Sequence, residues 1–357
     1  MNIRVKNVRE ALKAKGFDAL IVTNELNQHY LSGFAFTDGL LLITENSAYL
    51  ITDFRYYEDA VKEAYNDYSV VMPEKRVEFI TKVLKDEGCS NVGIEGNTIS
   101  YALYNKYIEN YPFCKFSSIG GMIEEQREIK DEFEIALMQK AQDITDYAFS
   151  ELMKRINTNM TEIEVAAELE YLMRRSGASG FAFDTIAVSG DASALPHGVP
   201  RNVKLQKGFL TMDFGAKYKG YCSDMTRTIV IGKADDEIKK LYNTVLSAQL
   251  AGLSAIRAGM DCAECDKVAR DIIDANEEYN GLFGHSLGHG VGLFVHESPR
   301  LSKVGKGRSL RVGEIVTVEP GIYLFGKYGC RIEDMVAVKE NGVYNFTHST
   351  KELIEIY

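Results

Sequence analysis

The sequence predicts an α+β chain in two parts: a smaller α/β domain with a mixed sheet over residues 1–122, and a larger domain over 123–357 with an internal pseudo-twofold repeat. Three observations lead there. Short helix-like and strand-like segments alternate through the first third of the chain. A helix–helix–strand–strand order then occurs twice. Each repeat closes on the same acidic pattern. The first reads Thr211-Met212-Asp213-Phe214-Gly215, then Gly220-Tyr221-Cys222-Ser223-Asp224. The second reads Thr317-Val318-Glu319-Pro320-Gly321, then Gly329-Cys330-Arg331-Ile332-Glu333. A length of 357 residues leaves room for both domains.

In the first domain, Val5 to Lys15 is an amphipathic helix ended at Gly16, and Asp18 to Thr23 is a strand. Leu40–Thr44 and Ala48–Thr52 are strands joined at Glu45-Asn46-Ser47. Helices near 54–65, 75–87 and 100–109 alternate with strands near 68–72, 91–95 and 114–119. The charged run from Glu124 to Glu132 contains no Pro or Gly, so it reads as the lead-in to a long helix, with the domain boundary near residue 123. Beyond it, helices near 131–155 and 161–176 lead to Pro196-His197-Gly198. Helices near 236–258 and 261–278 lead to His296-Glu297-Ser298. Thr161-Glu162-Ile163-Glu164 is a capping-box pattern that starts one of these helices.

Bulk composition narrows the function. Hydrophobic content of 45% and charged content of 26% describe a soluble globular protein. A net charge of −10 argues against nucleic-acid binding. No apolar run approaches the roughly 18 residues of a membrane span, and the N-terminus has no signal-peptide core. The six cysteines show no disulfide-framework spacing, so free thiols in a cytoplasmic protein are expected. Cys262-Ala263-Glu264-Cys265 lacks the second pair that a zinc site would want.

The acidic pattern carries the chemistry. If Tyr218 and Lys219 form a hairpin tip, Asp213 and Asp224 lie directly opposite each other, about 5 Å apart at Cβ. Glu319 and Glu333 repeat this with a longer connection. One acidic pair on strands is most often a solvated face. Two matching pairs, together with His289 set among glycines in Gly284–Gly292, outweigh that reading. Four carboxylates and an imidazole gathered in one place would repel and desolvate each other without cations. Two divalent metal ions would offset the charge, as in two-metal hydrolases. An oxygen-rich set with one imidazole favours Mn²⁺, Co²⁺ or Zn²⁺. Water held between such ions becomes a hydroxide nucleophile, and a nearby carboxylate can carry its proton to a leaving amine. Amide hydrolysis suits this constellation best. His197, His285 and His296 flank the same units, and Arg331 is placed to neutralise surplus carboxylate charge. His29 and His348 read as ordinary surface or core residues. His285 and His289 have zinc-protease spacing, but no Glu follows His285 and the segment is too glycine-rich for that helix. The same glycines lack the preceding strand and following helix of a phosphate loop.

On these residues the chain resembles the pita-bread-fold metallopeptidases of the Xaa-Pro branch, aminopeptidase P and prolidase. The resemblance covers nearly the whole chain, including Tyr30-Leu31-Ser32-Gly33-Phe34 and Tyr49–Tyr56 in the first domain. It implies a C-terminal pita-bread (creatinase/aminopeptidase) fold. It implies that Asp213 chelates one metal, that His289 and Glu319 hold the other, and that Asp224 and Glu333 bridge. It also implies Glu319 as proton shuttle, His197 and His296 as substrate contacts at the reacting carbonyl, and His285 and Arg331 as groups that either support the ligands or bind substrate. Family members commonly use Mn²⁺ and form homodimers or higher assemblies, with a neighbour's N-terminal domain helping to shape the pocket. Their substrates are peptides with proline just after the scissile bond. The leading expectation is Xaa-Pro aminopeptidase activity, with Xaa-Pro dipeptidase (prolidase) as its alternative. A non-catalytic peptide-binding protein on the same fold is the rival from another class. Retention of all five metal-ligand positions speaks against that rival, and against the metal-free creatinase-like hydrolases. A methionine aminopeptidase would not need the first domain.

Two departures from the family pattern stand out. Lys207-Gly208-Phe209 lacks the usual acidic residue, and Gly208 lies five residues before Asp213 where Gly313 lies six before Glu319. A slip of one residue within the strand would turn Asp213 away from the site; the intact Thr211–Gly215 pattern predicts that the loop absorbs the deletion. Phe294 stands where the family often has Glu.

Overall fold

The computed structural model describes residues 3–357. The chain divides into two compact units, residues up to Arg127 and residues from Glu128 onward.

The first unit is built on a six-stranded mixed sheet. Its strands run in the order Ser69–Val71, Ala48–Thr52, Gly39–Thr44, Ala19–Val22, Asn91–Ile94, Lys115–Ser118. The central strand Ala19–Val22 pairs antiparallel with Gly39–Thr44 and parallel with Asn91–Ile94. It is buried along its whole length, as expected of an apolar run in the middle of a sheet. One helix, Glu25–Ser32, has no counterpart in the sequence reading. Its N-cap Asn24 accepts hydrogen bonds from the amides of Leu26 and Asn27, and it ends at Gly33 in the left-handed region.

The second unit carries the repeat. Helices Glu132–Met153 and Glu162–Arg175 pack over a four-stranded sheet ordered Glu355–Ile356, Met225–Ile231, Gly208–Phe214, Ile186–Ser189. Helices Asp236–Ala255 and Cys262–Asp274 pack over a five-stranded sheet ordered Glu297–Leu301, Gly288–Gly290, Ile315–Val318, Asp334–Lys339, Gly342–Asn345. The duplication extends to single hydrogen bonds. The second helix of each pair is pinned by a bridge at its N-cap, Thr161 to Lys204 and Asp261 to Ser309. The next amide donates to a matching carbonyl, Glu162 to Val203 and Cys262 to Arg308. The expected capping box at Thr161 and Glu164 is present.

The first hairpin corrects the predicted register. Its outer ladder pairs Lys217 with Cys222 and Tyr218 with Tyr221, so the tip is Lys219-Gly220 rather than Tyr218-Lys219. Both tip residues take positive φ, 47° and 87°, as the two-residue turn of a right-twisted hairpin requires. Asp213 therefore faces Thr226 and not Asp224. The second arm is not one continuous strand: Ser223 and Asp224 lie between Tyr221–Cys222 and Met225–Ile231. In the second hairpin the ladders Ile315–Val318 with Asp334–Ala337 and Gly321–Leu324 with Tyr328–Arg331 share one register. Extending it through the break sets Glu319 opposite Glu333.

Both cysteines of the Cys262–Cys265 pattern are fully buried in the core of the second repeat, where burial raises the Cys262 thiol pKa and pushes that of Cys265 up to about 12. Among the described residues no helix is long and apolar enough to cross a membrane.

Candidate metal-binding active site

The breaks in the two hairpins meet. Thr226 O accepts from the Glu333 amide at 3.1 Å, and Arg227 donates to Glu333 O at 2.6 Å and to the Asp334 carboxylate at 2.8 Å. These bonds lock Asp224 and Glu333 into one buried pocket. Ligand atoms of Asp224, His289 and Glu333 lie within 4.8 Å of one another, the one such group among the described residues. His289 Nε2 is 3.3 Å from Glu319 Oε1 and 3.6 Å from Asp224 Oδ2. Asp213 joins through Arg331, whose Nη2 donates to its Oδ2 at 2.6 Å.

His289 is held by close backbone packing. A Cβ on Gly288 would run into the Thr317 carbonyl, and one on Gly290 into the Ser298 carbonyl. Its Nδ1–H donates to Gly290 O at 3.1 Å, which leaves Nε2 as a bare lone pair. That lone pair faces carboxylate oxygens, so acceptors meet acceptors. Asp213 Oδ1 is buried with no hydrogen-bond partner. Burial raises the carboxyl pKa of Asp224 and Glu333 well above the usual range, reinforced by the neighbouring carboxylates, and pushes Glu319 up to about 8. Divalent cations between these groups remove each of these conflicts, so the residues fit a metal site.

Hydrogen bonds fix the acids. Thr317 Oγ1 donates to Glu319 Oε1 at 3.1 Å, and Thr226 Oγ1 donates to Glu333 Oε2 at 2.7 Å. Arg331 also donates from Nε to Thr226 Oγ1 and from Nη1 to the Tyr323 hydroxyl and Pro196 O. Since the Tyr323 oxygen accepts from Arg331, its own proton points to His285 Nε2 at 2.9 Å. His285 Nδ1–H donates to Ser286 O, and burial lowers its pKa to about 3, so it stays neutral.

The cluster opens into a cavity of about 480 Å³. His197, His285, His296 and Arg300 line it along with Asp213, Asp224, His289, Glu319, Arg331 and Glu333, so every metal-ligand and catalytic candidate of the sequence faces one space. The His296 ring lies 4.4 Å from that of His289. His296 is carried by a tight turn whose Glu297 accepts from the Phe294 amide at 3.0 Å and pairs with Lys130 at 3.5 Å. The side chains of that ion pair are only 1% and 9% exposed. Phe294 points to solvent and is not among the residues lining the cavity. The shortened segment is taken up at the start of its strand: Gly208 (φ 104°) is the first strand residue, whereas Gly313 lies outside Ile315–Val318.

Sequence reading did not single out Tyr323, Thr226 or Arg300. Thr226 and Tyr323 follow from the observed register. Arg300 pairs with His289 across the strands, a signal visible only once Glu297–Leu301 is known to be a strand.

Comparison with known proteins agrees with this architecture. Residues 136–340 match the model of metallopeptidase family M24, and residues 4–129 match the creatinase/prolidase N-terminal domain. The chain is 38% identical to the Xaa-Pro dipeptidase of Pyrococcus horikoshii, over 99% of each chain. The structure of an Xaa-Pro dipeptidase from Bacillus anthracis superposes with a TM-score of 0.94 at 41% identity, covering 99% of each chain. An X-Pro aminopeptidase from Thermotoga maritima gives a TM-score of 0.91 at 37% identity, covering 97% of this chain and 100% of that one. The chain belongs to metallopeptidase family M24, with a creatinase/prolidase N-terminal domain ahead of its pita-bread domain.

Proposed function

We propose that this chain is an Xaa-Pro dipeptidase that works with two divalent metal ions, held by Asp213, Asp224, His289, Glu319 and Glu333. The buried acid cluster around the bare Nε2 of His289 carries the reading. Relatives favour the dipeptidase over the aminopeptidase P reading with which the sequence led; the Thermotoga neighbour keeps aminopeptidase P as the second reading. Bound divalent cations supply an acidified water and a Lewis acid. The protein does the rest. Glu319 Oε2, which does not engage Thr317, takes the proton and returns it to the prolyl nitrogen. His197 and His296 face the cavity and donate to the carbonyl oxygen as charge develops there. Burial lowers the His296 pKa, so it acts as a neutral donor near pH 7. Arg331 and Tyr323 hold Asp213 and His285 in place. Arg300 has no ion-pair partner among the described residues and meets the carboxylate of a dipeptide.

The oxygen-rich donor set supports Mn²⁺. Free, mostly buried cysteines support a cytoplasmic setting. The resemblance supports a homodimer, which light scattering tests. The deciding experiment is hydrolysis of Xaa-Pro and Xaa-Pro-Yaa peptides by metal-stripped protein given Mn²⁺, Co²⁺ or Zn²⁺. Metal-restored cleavage of Xaa-Pro is the expected result. A folded protein that cleaves neither peptide with any metal sinks the proposal. The Glu319→Ala variant should lose turnover; unchanged peptide capture with no wild-type turnover would favour a binding protein.

A further inference from the structure

We infer that Asp184 selects dipeptides whose first residue is basic: its carboxylate receives the side-chain ammonium of Lys or guanidinium of Arg at the rim of the catalytic cavity. The inference deepens the peptidase reading above and rests on it. The backbone puts Asp184 there. The outer ladder of the first repeat pairs Phe181 with Ala216, and the inner one pairs Ile186 with Asp213. Between them, residues 182–185 face only Phe214 and Gly215. The surplus residues have no place in the ladder, so the chain bulges, and bulges beside active sites re-aim side chains. This one brings Phe183, Asp184 and Thr185 to the cavity.

The second repeat fills the same position differently. The Glu319 amide donates to Leu287 O at 2.8 Å, so Leu287 stands to Glu319 as Ile186 stands to Asp213. Counting back, His285 corresponds to Asp184 and Ser286 to Thr185, and all four line the cavity. His285 is held by Tyr323 and by Ser286 O. Asp184 is exposed, and its side chain has no hydrogen-bond or ion-pair partner among the described residues. Of the carboxylates that line the cavity, it is the one outside the metal-site acids. The first-repeat wall that carries it is largely apolar, with Phe183, Ile186, Pro196, Val199 and Pro200. Val199 is 78% exposed. An apolar wall bearing a free carboxylate matches a long methylene stem that ends in a cation.

The other wall decides which end of the substrate meets Asp184. Arg300, which meets the proline carboxylate, shares its wall with His285 and Ser286, since these three also line one neighbouring basin. A dipeptide laid from Arg300 across the metal site therefore directs its first residue toward the first-repeat wall. Its α-ammonium stays beside the scissile carbonyl, at the buried acid cluster. Asp184 lies farther out, in solvent, where only an extended side chain arrives.

The test uses full-length Mn²⁺-loaded protein with Arg-Pro and citrulline-Pro, which have the same shape and differ by one charge. Arg-Pro should have the higher kcat/KM by about fivefold, the reach of one exposed ion pair of about 1 kcal/mol. The preference should lie in KM, because the contact is the same before and during bond breaking. It should shrink as salt rises from about 0.05 to about 0.5 M. Asp184→Asn should bring the Arg-Pro to citrulline-Pro ratio within about twofold of one, and Asp184→Lys should invert it. The assignment is overturned if wild-type protein cleaves the two peptides alike, if the preference is insensitive to salt, or if Asp184→Asn keeps it. A loss in Asp184→Asn that falls equally on both peptides also overturns it, since that pattern marks the α-ammonium or the bulge itself. If neither peptide is cleaved, the peptidase reading falls and takes the selectivity with it; citrulline-Pro turnover keeps the two failures apart.

Discussion

The two hairpins of the second unit share a plan and differ in what they place on it. Each has an inner and an outer ladder in one register, with a break between them. In the second hairpin both acids, Glu319 and Glu333, sit in the break, where Pro320 offers no amide to a ladder. In the first, Asp224 sits in the break, while Asp213 remains inside the ladder opposite Thr226. Two residues before the later acid, the first hairpin has Cys222 and the second has Arg331. Cys222 packs into a wall, with its Sγ 3.7 Å from Leu293 O, while Arg331 crosses to Asp213. Backbone duplication thus supplies two pairs of acids, and a single asymmetric position supplies the guanidinium that holds Asp213. Two guanidiniums in the cavity, Arg331 and Arg300, against four carboxylates still leave negative charge for metal ions to neutralise.

The comparison breaks most visibly at the paired acids of the breaks. Asp224→Asn and Glu333→Gln should each cost roughly 10³-fold or more in kcat/KM for Xaa-Pro, at least the loss of a preorganised charge-stabilising group. Metal analysis should find substoichiometric Mn²⁺ in both. Losses that differ by more than about tenfold would show that the repeats contribute unequally.

A second contrast sets Arg331→Leu against Cys222→Ala at matching positions. Arg331→Leu should lower activity about 10–100-fold by releasing Asp213. Cys222→Ala should leave kcat/KM within about twofold and cost about 1 kcal/mol in urea unfolding. Equal effects on activity would remove the asymmetry argued here.

The acid cluster also predicts the pH response of metal-stripped protein. Glu319 is raised to about 8, and Asp224 and Glu333 are raised by burial and by the carboxylates around them. The folded state then holds protons that the unfolded chain releases, so stability falls as pH rises toward 8. His285 and His289 are depressed, to about 3 and about 4, and oppose this only below their unfolded values. Between pH 6.5 and 8 the acids dominate. The melting temperature should fall across that window without metal, and added Mn²⁺ should restore most at the upper end. A flat or rising melting curve would contradict the buried cluster.

The smallest effect lies at the two tips. Lys219 is strained at φ 47°, so Lys219→Gly should gain about 0.5–1 kcal/mol. The other tip already has Gly326 at φ 70°, and Gly326→Ala should lose a similar amount in the same unfolding assay.

Much of this was legible in the sequence. The carboxylates announced themselves because spacing from glycines survives duplication, and the helices because their apolar periodicity is long. The register of the first hairpin was not legible, since it turns on a lysine adopting positive φ, where propensity points elsewhere. Helix Glu25–Ser32 was hidden because it is short and buries Asn27 and Gln28, polar residues that hide an amphipathic pattern. Thr226, Tyr323 and Arg300 matter through partners distant in sequence, which no local pattern encodes.

The buried Lys130–Glu297 pair has a practical side. It ties the turn that presents His296 to the segment entering helix Glu132–Met153, and the neighbouring Lys130 amide donates to Gly313 O. A fragment of the second unit cut at the start of that helix would discard the lysine and strand a carboxylate inside the protein. Expression fragments of the catalytic half therefore need to begin upstream of residue 130.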